Sequence, residues 1–434
     1  MKAVILAGGR GERLGKLTEK TPKPMIEVGG KPLLEHQIRL LTRYGFKDII
    51  LCTGHVSGRI EDHFGDGRGF KARIEYSIED KPLGSAGCLR LIEGKIKGYF
   101  ILLNGDVMVD MNLKKLVEFH KAKKANATLT IHPNNHPNDS DLLEMDSRCR
   151  ITAFHRKPMQ NGRFYTNLVN AGVHVLSERV LRHIPRRGKS DLYREVFPRM
   201  IKAKERVFGY NTPEYIKDMG TPERLRQVRR DYTRGLPRKY NLEKKRPAFF
   251  LDRDGVINVE RHLLNEAINF ELIPGSVEAI RRINESGHLA IVVTNQPVVA
   301  RGLCTFKDVE EVHKKMETLL GKEGAKLDAI YWCPHHPDRG YNGENRRYKT
   351  DCECRKPKTG MIREAARRFN IDLKKSYIIG DSTRDIKLGK NAGIKTVGVK
   401  TGHACRDGKY DVKPDYTFKN LHEAVKHLLK NEYI

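Results

Sequence analysis

The sequence predicts two α/β domains, each built on a mainly parallel sheet covered by helices. Its 434 residues are more than one ordinary hydrophobic core accommodates. Short apolar runs alternate with amphipathic stretches twice along the chain, which is typical of parallel sheets. Between the two series lies a basic stretch with no apolar face, RRDYTRGLPRKYNLEKKRP. We interpret its residues 231–246 as a linker between a first domain at 1–230 and a second at 247–434.

The elements of the first domain follow from hydrophobic periodicity. Strands are predicted at AVILAGG, DIILCTG, ARIEYSI, YFILLNGDV and ATLTIH. Helices are predicted at KPLLEHQIRLLTRYG, which ends on a glycine, and at LKKLVEFHKAKKA. Apolar residues in these two segments recur at the helical spacing.

The second domain repeats the pattern. Its predicted strands are PAFFLDRDG, LAIVVTNQ, DAIYWCP, SYIIGDS and KTVGVKTG, and its predicted helices are PGSVEAIRRINESG, FKDVEEVHKKMETLLGKEG, GMIREAARRFN and NLHEAVKHLLKN. Ligands of open α/β sheets bind at the carboxyl ends of the strands. The polar motifs described below follow such strands directly.

The charge of the chain is strongly positive, with 82 lysines and arginines against 54 acidic residues. A nucleic-acid binder, an enzyme that attracts anionic substrates and an ordinary solvated surface all agree with this balance. No helix-turn-helix, RNA-recognition or zinc-finger signature is present, which disfavours nucleic acid. No apolar run reaches the length of a membrane span and no secretory signal is recognised, so we expect a cytoplasmic protein.

The second domain carries its chemistry on the motif Asp252-Arg253-Asp254-Gly255, directly after the strand AFFL. The two carboxylates face one cleft if the backbone turns at Gly255. One of them can then attack phosphorus while the other protonates the leaving oxygen. A polar turn at a strand end is the alternative interpretation of this motif taken alone.

Further polar residues occur in the order that such a reaction needs. Thr294, Asn295 and Gln296 offer a hydroxyl group and amides to phosphate oxygens, and Lys356 supplies a cation for the transferring phosphoryl group. A Mg²⁺ site is predicted from Asp252, Asp254, Asp381 and Asp385.

The cysteines separate into dispersed and clustered residues. Five of the eight are dispersed and are expected to be reduced thiols, and they are Cys52, Cys88, Cys149, Cys304 and Cys405. The remaining three lie in two short motifs, Cys333-Pro334-His335 and Cys352-Glu353-Cys354. Three thiolates and one imidazole form a closed tetrahedral ligand set, so a structural zinc ion is predicted here.

These motifs, in this order, resemble the haloacid dehalogenase-like phosphatases over the whole second half. DRDGVIN, TNQ, ARG, CPHHP, CxCRKP and GDS together are similar to the D-glycero-D-manno-heptose 1,7-bisphosphate phosphatases, and histidinol-phosphate phosphatases form the close alternative. The resemblance implies a Rossmannoid domain with a zinc-bearing loop. It also implies that Asp252 is the nucleophile, that Asp254 is the acid/base, and that Arg355 and Lys356 hold the substrate phosphate.

Three departures from that family leave the sugar and its anomer open. Pro297-Val298 stands where the family usually has Ser-Gly, and Ser382 stands where a lysine is common. The early substrate loop has Glu260-Arg261-His262-Leu263 in place of the usual Gly-Tyr pattern.

The first domain opens with a glycine-rich loop. Gly8, Gly9 and Gly11 allow backbone N–H groups to close on a triphosphate, and Arg13 and Lys23 add charge where pyrophosphate departs. The spacing is not that of a Walker motif.

Further along the first domain, Gly84 in LGSAG allows the backbone to approach a base, and Asp106 and Asp218 can converge on one Mg²⁺. Either aspartate taken alone is equally well interpreted as a turn or cap residue.

In order, these motifs resemble the sugar-1-phosphate nucleotidyltransferases over residues 1–225. The resemblance implies a Rossmann-like domain in which the glycines, Arg13 and Lys23 bind the triphosphate, while Asn170 and Lys157 contact the sugar phosphate. Arg156 stands where members often have glutamate, so the sugar is not fixed.

The two expected reactions fit consecutive steps. Removal of the 7-phosphate from a heptose 1,7-bisphosphate leaves heptose 1-phosphate, which the first domain would activate with a nucleoside triphosphate. Among relatives, the guanylyltransferases of the GDP-D-glycero-α-D-manno-heptose route fit this partner best, which implies GTP and a role in surface glycans such as lipopolysaccharide or S-layer glycans. A histidinol-phosphate phosphatase fused to another sugar nucleotidyltransferase, and a basic nucleic-acid-binding protein, are the alternatives. The sequence leaves homo-oligomerisation open.

Overall fold

The computed structural model describes residues 1–9, 12–18, 21–54, 57–157 and 162–430. The chain forms two compact units, and the first consists of Met1–His132, Leu143–His155 and Asn170–Glu243. The second consists of Pro133–Leu142, Arg156–Val169 and Lys244–Ile434. In the described part of the chain, no helix is long and apolar enough to cross a bilayer.

The first half of the chain contains the elements up to α7. The strands are β1 (Ala3–Leu6), β2 (Glu27–Val28), β3 (Lys31–Pro32), β4 (Asp48–Thr53), β5 (Arg73–Ile78), β6 (Tyr99–Asn104), β7 (Val107–Asp110), β8 (Ala127–His132), β9 (Leu142–Met145), β10 (Ile151–His155), β11 (Val169–Ser177), β12 (Val207–Asn211) and β13 (Tyr215–Asp218). The helices are α1 (Leu33–Arg43), α2 (Gly58–Phe64), α3 (Gly84–Arg90), α4 (Leu113–Ala122), α5 (Phe197–Lys202), α6 (Pro222–Thr233) and α7 (Leu236–Tyr240).

The main sheet of the first half has the strand order β10-β9-β11-β6-β1-β4-β5, with β8 joining β11 to β12. Strands β6, β1, β4 and β5 are parallel, whereas β11 pairs antiparallel with β6. The chain leaves β1 towards β4 on one side and returns to β6 on the other. Ligands bind at such a reversal, beside the carboxyl ends of the strands. The glycine-rich loop follows β1 and Asp106 follows β6, so both lie at this reversal.

The elements of the second half begin with β14. The strands are β14 (Ala248–Leu251), β15 (Leu289–Asn295), β16 (Ala329–Cys333), β17 (Tyr377–Gly380), β18 (Lys395–Val399) and β19 (Tyr416–Phe418). The helices are α8 (Ser276–Ser286), α9 (Phe306–Lys322), α10 (Gly360–Phe369), α11 (Thr383–Ala392) and α12 (Leu421–Lys430).

The sheet of the second unit has the order β16-β15-β14-β17-β18-β19, and its pairings are parallel. Strand β14 is buried on both faces, because Phe249 and Leu251 pack into one hydrophobic cluster and Ala248 and Phe250 into another. This is why AFFL is continuously apolar rather than alternating. The strand order reverses beside β14, so the carboxyl ends of β14 and β17 form the expected ligand crevice.

The segment predicted as a linker is structured. Residues 231–246 include α7, and Asp231 and Leu242 are buried. The carboxylate of Glu214 accepts the backbone N–H groups of Leu242 and Asn112 at 2.8 and 2.6 Å. These contacts attach most of this segment to the first unit, and Lys244 is the first residue after α7 that belongs to the second. The sequence did not indicate this because the polar side chains that hold the segment lie far away along the chain.

Two segments of the first half belong to the second unit, which the predicted boundaries did not anticipate. They pack on α9. The backbone N–H of Tyr165 donates to Thr318 Oγ1 at 3.0 Å, and that hydroxyl group donates to the carbonyl of Tyr165 at 3.3 Å. The ring of Pro137 lies against Gly321. Contacts so distant in sequence leave no local signal.

Glu317 on α9 gives the second unit a predicted pH dependence. Burial raises the pKa of Glu317 to about 8, although a backbone hydrogen bond from Asn167 and the charge of Lys314 oppose the shift. The folded state therefore binds a proton that the unfolded state has released, so stability falls as pH rises from about 4.5 to about 8. Glu317→Gln is expected to remove this loss, which is on the order of several kcal/mol.

The measurement is urea unfolding followed by the fluorescence of Trp332, the single tryptophan of the sequence. It lies on β16 and reports the second unit. Wild type, Glu317→Gln and the exposed control Glu323→Gln are compared at about pH 5.5 and about pH 8.5. Parallel pH profiles for wild type and Glu317→Gln would contradict the prediction.

Candidate active sites

Three buried carboxylates meet at the crevice of the second unit. Asp252 follows β14, and Asp381 and Asp385 follow β17. One oxygen of each lies within 4.8 Å of the others. Burial, and then the Asp385 carboxylate, raise the pKa of Asp252 to about 7, and burial raises the pKa of Asp381 to about 8. Such crowding of negative charge fits a divalent cation with oxygen ligands.

Lys356 is the cation within this group. Its Nζ lies 2.8 Å from Asp252 Oδ2 and 2.6 Å from Asp385 Oδ1, and its side chain is buried. Burial would raise the pKa of Asp385, but Lys356 outweighs that effect and holds it below its usual range. The second oxygen of Asp385 accepts from the Ser382 hydroxyl at 2.6 Å in the capping box of α11. The two oxygens of Asp385 are thus already fixed by the protein.

Asp254 has a different environment from the three clustered carboxylates. Its carboxylate accepts from Arg253 Nη2 at 2.9 Å, from Asn258 Nδ2 at 2.9 Å and from Gln296 Nε2 at 2.8 Å. Burial would raise the pKa of Asp254, but these donors hold it below its usual range. The sequence predicts Asp254 as a magnesium ligand. Its carboxylate is not part of the described cluster of Asp252, Asp381 and Asp385, because its oxygens accept from these donors.

The residues predicted to bind phosphate oxygens lie at this crevice but also bond protein groups. Asn295 accepts the backbone N–H of Lys356 at 3.0 Å and donates to its carbonyl at 3.2 Å. Gln296 donates to Thr294 Oγ1 as well as to Asp254. Arg355 donates to the carbonyl of His335 at 2.8 Å. In this structure the amides of Asn295 and Gln296 position Lys356 and Asp254.

The four predicted zinc ligands form a compact cluster. Cys354 Sγ lies 3.3 Å from Cys333 Sγ, 3.3 Å from Cys352 Sγ and 3.4 Å from His335 Nδ1. Four ligand atoms of a tetrahedral zinc ion lie about 3.3–3.8 Å apart. The hydrogen bond that Cys354 shares with Cys333 lowers the pKa of Cys354 to about 5, which favours the thiolate that a metal binds. The donor set and its spacing both fit zinc.

Loss of one thiolate is predicted to release the metal and destabilise the second unit. The purified chain is expected to contain about one zinc ion, and Cys354→Ser to contain markedly less. The Trp332 unfolding transition of Cys354→Ser should fall by several degrees, because Cys333 ends the strand that carries Trp332. Cys304→Ser, outside the cluster, is the control. Wild-type zinc content and stability in Cys354→Ser would contradict this account.

The predicted residues of the first unit also converge. Lys23 Nζ lies 2.6 Å from Asp106 Oδ2, and the lysine side chain is largely buried. Strands β7 and β13 pair so that Asp218 lies opposite Val107, and the backbone N–H of Met219 donates to the carbonyl of Asp106 at 2.9 Å. The sheet pairing therefore brings together two aspartates that are far apart in sequence.

Arg224 on α6 binds both carboxylate oxygens of Asp218, at 2.8 and 2.9 Å. Burial would raise the pKa of Asp218, but Arg224 outweighs that effect and holds it below its usual range. Sequence reasoning missed this arginine. Asp106 and Asp218 fit as a pair of oxygen ligands for Mg²⁺, with Arg224 fixing the orientation of Asp218.

The glycine-rich loop is described in part. Gly8 lies against the Glu79 carboxylate, Gly9 has open space on its side-chain face, and the Arg13 guanidinium lies next to Gly220. Gly11 lies outside the described residues. Arg13 thus lies beside the loop that carries Asp218.

The other predicted binding residues have distinct placements. Gly84 has a φ of 79°, and a Cβ there would lie 2.5 Å from the carbonyl oxygen of Ser190. Only glycine therefore fits, for packing as well as for any approach to a base. Asn170 lies in the first unit, on β11. Lys157 belongs to the second unit, where its Nζ lies 2.7 Å from Asp139 Oδ1.

Two supporting residues had no clear sequence signal. Arg253 is fully buried inside the DRDG motif and holds Asp254, with His313 Nε2 3.3 Å from its Nη1. Gln37 on α1 donates to the carbonyls of Asn104 and Val107, at 2.8 and 2.7 Å, and so fixes the turn that carries Asp106. For Arg253, the one available signal was its position between the two aspartates.

Comparison with known proteins relates each half of the chain to a known family. The nucleotidyl transferase family model matches residues 2–235, more than half of the chain. The chain belongs to the nucleotidyl transferase family. A HAD-hydrolase-like model matches residues 353–424 of the second half.

Individual relatives match one half each. D-glycero-β-D-manno-heptose-1,7-bisphosphate 7-phosphatase of Pasteurella multocida is 42% identical over 164 residues, which is 37% of this chain and 86% of that protein. Mannose-1-phosphate guanylyltransferase of Mycobacterium tuberculosis is 34% identical over 236 residues, which is 54% of this chain. The chain spans 65% of the length of that second relative.

Among solved structures, D,D-heptose 1,7-bisphosphate phosphatase of B. bronchiseptica, complexed with magnesium and phosphate, is 32% identical. It matches with a TM-score of 0.38 over 43% of this chain and 99% of that one. The family models and the relative from Pasteurella multocida identify the protein as a bifunctional enzyme, a nucleotidyltransferase fused to a phosphatase of the haloacid dehalogenase-like class that is homologous to heptose bisphosphatases.

Proposed function

We propose that the second half removes the 7-phosphate of D-glycero-D-manno-heptose 1,7-bisphosphate and that the first half transfers GMP from GTP to the resulting heptose 1-phosphate. The observation that carries the proposal is the pairing itself. A domain 42% identical to a heptose bisphosphatase is fused to a domain 34% identical to a sugar-phosphate guanylyltransferase. The first reaction yields a sugar 1-phosphate, the class of substrate that the second consumes. Nucleotide-activated heptose for surface glycans would be the product.

The phosphatase reaction proceeds through an aspartyl-phosphate in this proposal. A carboxylate oxygen of Asp252 bonds to phosphorus as the bond from phosphorus to the sugar oxygen breaks. Asp254 gives a proton to the leaving oxygen and later accepts one from the water that hydrolyses the aspartyl-phosphate. The low pKa that Arg253 and the amides impose on Asp254 keeps its carboxylate ionised in the free site, which is the form that accepts the proton of the attacking water. Lys356, 2.8 Å from Asp252, lies where it can balance charge on the phosphoryl oxygens.

Metal ions would assist both sites. Asp252 and Asp381, with Asp385 beside them, would hold a Mg²⁺ that neutralises the phosphate. Asp106 and Asp218 would hold the Mg²⁺ of the transferase. The zinc ligands Cys333, His335, Cys352 and Cys354 lie in a closed set, which is typical of a structural site rather than a catalytic one. At each of these sites the protein would supply the metal ligands and hold them in position.

Nucleotidyl transfer needs no covalent intermediate on the protein. An oxygen of the sugar 1-phosphate bonds to the α-phosphorus of the nucleotide in line, and pyrophosphate leaves. Lys23 and Arg13 stabilise the negative charge of the departing pyrophosphate, while the backbone at Gly8, Gly9 and Gly11 holds the triphosphate. Asn170 remains the proposed contact of the sugar phosphate in the first unit.

Substrate comparison with the full-length protein tests the proposal. Both anomers of heptose 1,7-bisphosphate are supplied, because the curated phosphatases are named for the β anomer and the guanylyltransferase resemblance implies the α anomer. Phosphate release from each anomer is compared with phosphate release from histidinol phosphate. Pyrophosphate release is then measured with heptose 1-phosphate and GTP, CTP, UTP, dTTP or ATP. Release from histidinol phosphate alone would replace the heptose assignment, and preference for another nucleotide would replace GTP.

A further inference from the structure

The hydroxyl group of Tyr193 lies between two asparagines of the first unit. It donates to Asn104 Oδ1 at 3.0 Å, and the Asn170 amide is close enough to the same oxygen to oppose the rise of the Tyr193 pKa. His174 Nε2 lies 2.9 Å from the same oxygen. Burial raises the pKa of Tyr193 well above its usual range, so the phenol stays neutral. A neutral phenol donates one hydrogen bond and accepts two, so it has one position for each of these three neighbours.

His174 defines the direction of these hydrogen bonds. It is fully buried, and burial lowers the pKa of its imidazole to about 3, so the ring is neutral. Among the described residues, its Nδ1 has no hydrogen-bond partner. A buried N–H without a partner is rarer than a buried acceptor without one, so the ring hydrogen belongs on Nε2 and points to Tyr193. Tyr193 then accepts from His174 and donates to Asn104, which leaves one lone pair of its oxygen for the adjacent Asn170 amide.

Both asparagines adjoin the predicted transferase residues. Asn104 ends β6 and lies two residues before Asp106, whose carboxylate is paired with Lys23. Asn170 is the proposed contact of the sugar phosphate. An amide side chain presents either its oxygen or its nitrogen to a ligand, and a hydrogen bond to one end fixes which. Tyr193 therefore sets the orientation of two amides beside the reacting groups.

The residues just before Tyr193 are hydrogen-bonded to the Leu83–Gly87 segment, which forms the start of α3. Ser190 N donates to the Leu83 carbonyl at 2.9 Å, and Ala86 N donates to the Ser190 carbonyl at 3.0 Å. The Ser85 hydroxyl donates to Asp191 Oδ2 at 3.0 Å and accepts from Leu192 N at 2.9 Å. Gly87 N also donates to the Ser190 carbonyl, at 3.4 Å, so five hydrogen bonds connect these residues to the Leu83–Gly87 segment that is predicted to approach the nucleotide base.

Asp191 links the two ends of the segment. While one oxygen accepts from Ser85, the other accepts the backbone N–H groups of Tyr193 and Arg194, both at 2.8 Å. A displacement of the Leu83–Gly87 segment would therefore displace the backbone of Tyr193 through the Asp191 carboxylate. The carbonyl of Ser190 also occupies the space where Gly84 would have a side chain.

We propose that Ser190–Tyr193 is a brace that joins the Leu83–Gly87 segment to Asn104 and Asn170. In this proposal Tyr193 is a positioning residue for the sugar phosphate. The inference rests on the proposed nucleotidyl transfer and deepens it. The brace touches neither substrate. It keeps the Leu83–Gly87 segment and the two asparagines in one fixed arrangement. The sugar phosphate therefore meets correctly oriented amides when the nucleotide is bound.

Tyr193→Phe tests the positioning role because it removes the hydroxyl group and little else. With the sugar 1-phosphate and nucleotide that the wild-type chain uses, KM for the sugar 1-phosphate should rise about tenfold, while KM for the nucleotide stays within about twofold. Tyr76→Phe is the matched control, since the Tyr76 hydroxyl donates to the Gly65 carbonyl at 2.7 Å away from these asparagines. Unchanged kinetics, or an equal rise of both KM values, would overturn the positioning role.

A double-mutant cycle with Ser85→Ala tests the coupling. If the brace transmits orientation, the losses of kcat/KM in Ser85→Ala and Tyr193→Phe should be non-additive by about threefold or more. Additive losses would overturn the brace even if Tyr193→Phe behaves as expected. Absence of turnover in the wild-type chain with every sugar 1-phosphate would instead reject the proposed function, which separates the two failures.

Discussion

Asp252→Asn is expected to reduce phosphate release by roughly four orders of magnitude and to leave nucleotidyl transfer unchanged. An amide oxygen is a poor nucleophile, so the covalent route closes. The substitution keeps the volume of the side chain, and Lys356 keeps its ion pair with Asp385 at 2.6 Å. The second unit is therefore expected to fold. Nucleotidyl transfer, measured on the same sample, reports that the first unit is intact, and the fluorescence of Trp332 reports that the second unit is folded.

Asp411→Asn is the control for this prediction, because Asp411 is an exposed aspartate of the same unit. It should release phosphate at the wild-type rate. The direct observation is phosphorylation of the protein at Asp252 in acid-quenched wild-type samples. Phosphate release by Asp252→Asn within about tenfold of wild type would reject Asp252 as the nucleophile.

Lys23→Ala is expected to impair nucleotidyl transfer and to leave the phosphatase reaction unchanged. It removes the cation beside Asp106, and pyrophosphate release should fall by about two to three orders of magnitude while phosphate release is unchanged. The side chain is largely buried, so its loss also leaves Asp106 without the partner at 2.6 Å. The measurement is pyrophosphate release with heptose 1-phosphate and GTP at saturating concentrations.

Lys31→Ala is the matched control, since Lys31 is a partly exposed lysine of the same unit whose Nζ lies 3.9 Å from Glu35. Its two activities should equal those of wild type. A rate for Lys23→Ala within about threefold of wild type would show that Lys23 does not stabilise the transition state.

The two folds were predicted largely from local pattern, because strand runs and the motifs after them are short-range signals. AFFL and YIIG are strands that end directly before Asp252 and Asp381, and the third strand ends within its motif TNQ, at Asn295. The zinc ligands were also predicted from two short motifs, and the structure places all four in one cluster. Residue type and spacing are sufficient in such cases, since ligand geometry constrains both.

The unpredicted features depend on contacts between residues far apart in sequence. Asn295 and Gln296 were expected to face phosphate, but their partners Lys356 and Asp254 become neighbours only in the folded sheet. Tyr193 and His174 carry no motif, and their proposed roles follow from hydrogen bonds that form only in the folded chain. The packing of Pro137 and Tyr165 on α9 is of the same kind. Hydrophobic periodicity is a local property of the sequence and does not indicate such pairs.

The most direct test of the central claim is one reaction mixture of the full-length protein, heptose 1,7-bisphosphate, GTP and Mg²⁺. We predict that wild type forms phosphate, pyrophosphate and GDP-heptose in equal amounts. Asp252→Asn should form none of the three from the bisphosphate, yet form GDP-heptose when heptose 1-phosphate is supplied. Phosphate release by wild type without any nucleotide-linked heptose, or equal product from wild type and Asp252→Asn, would contradict the account.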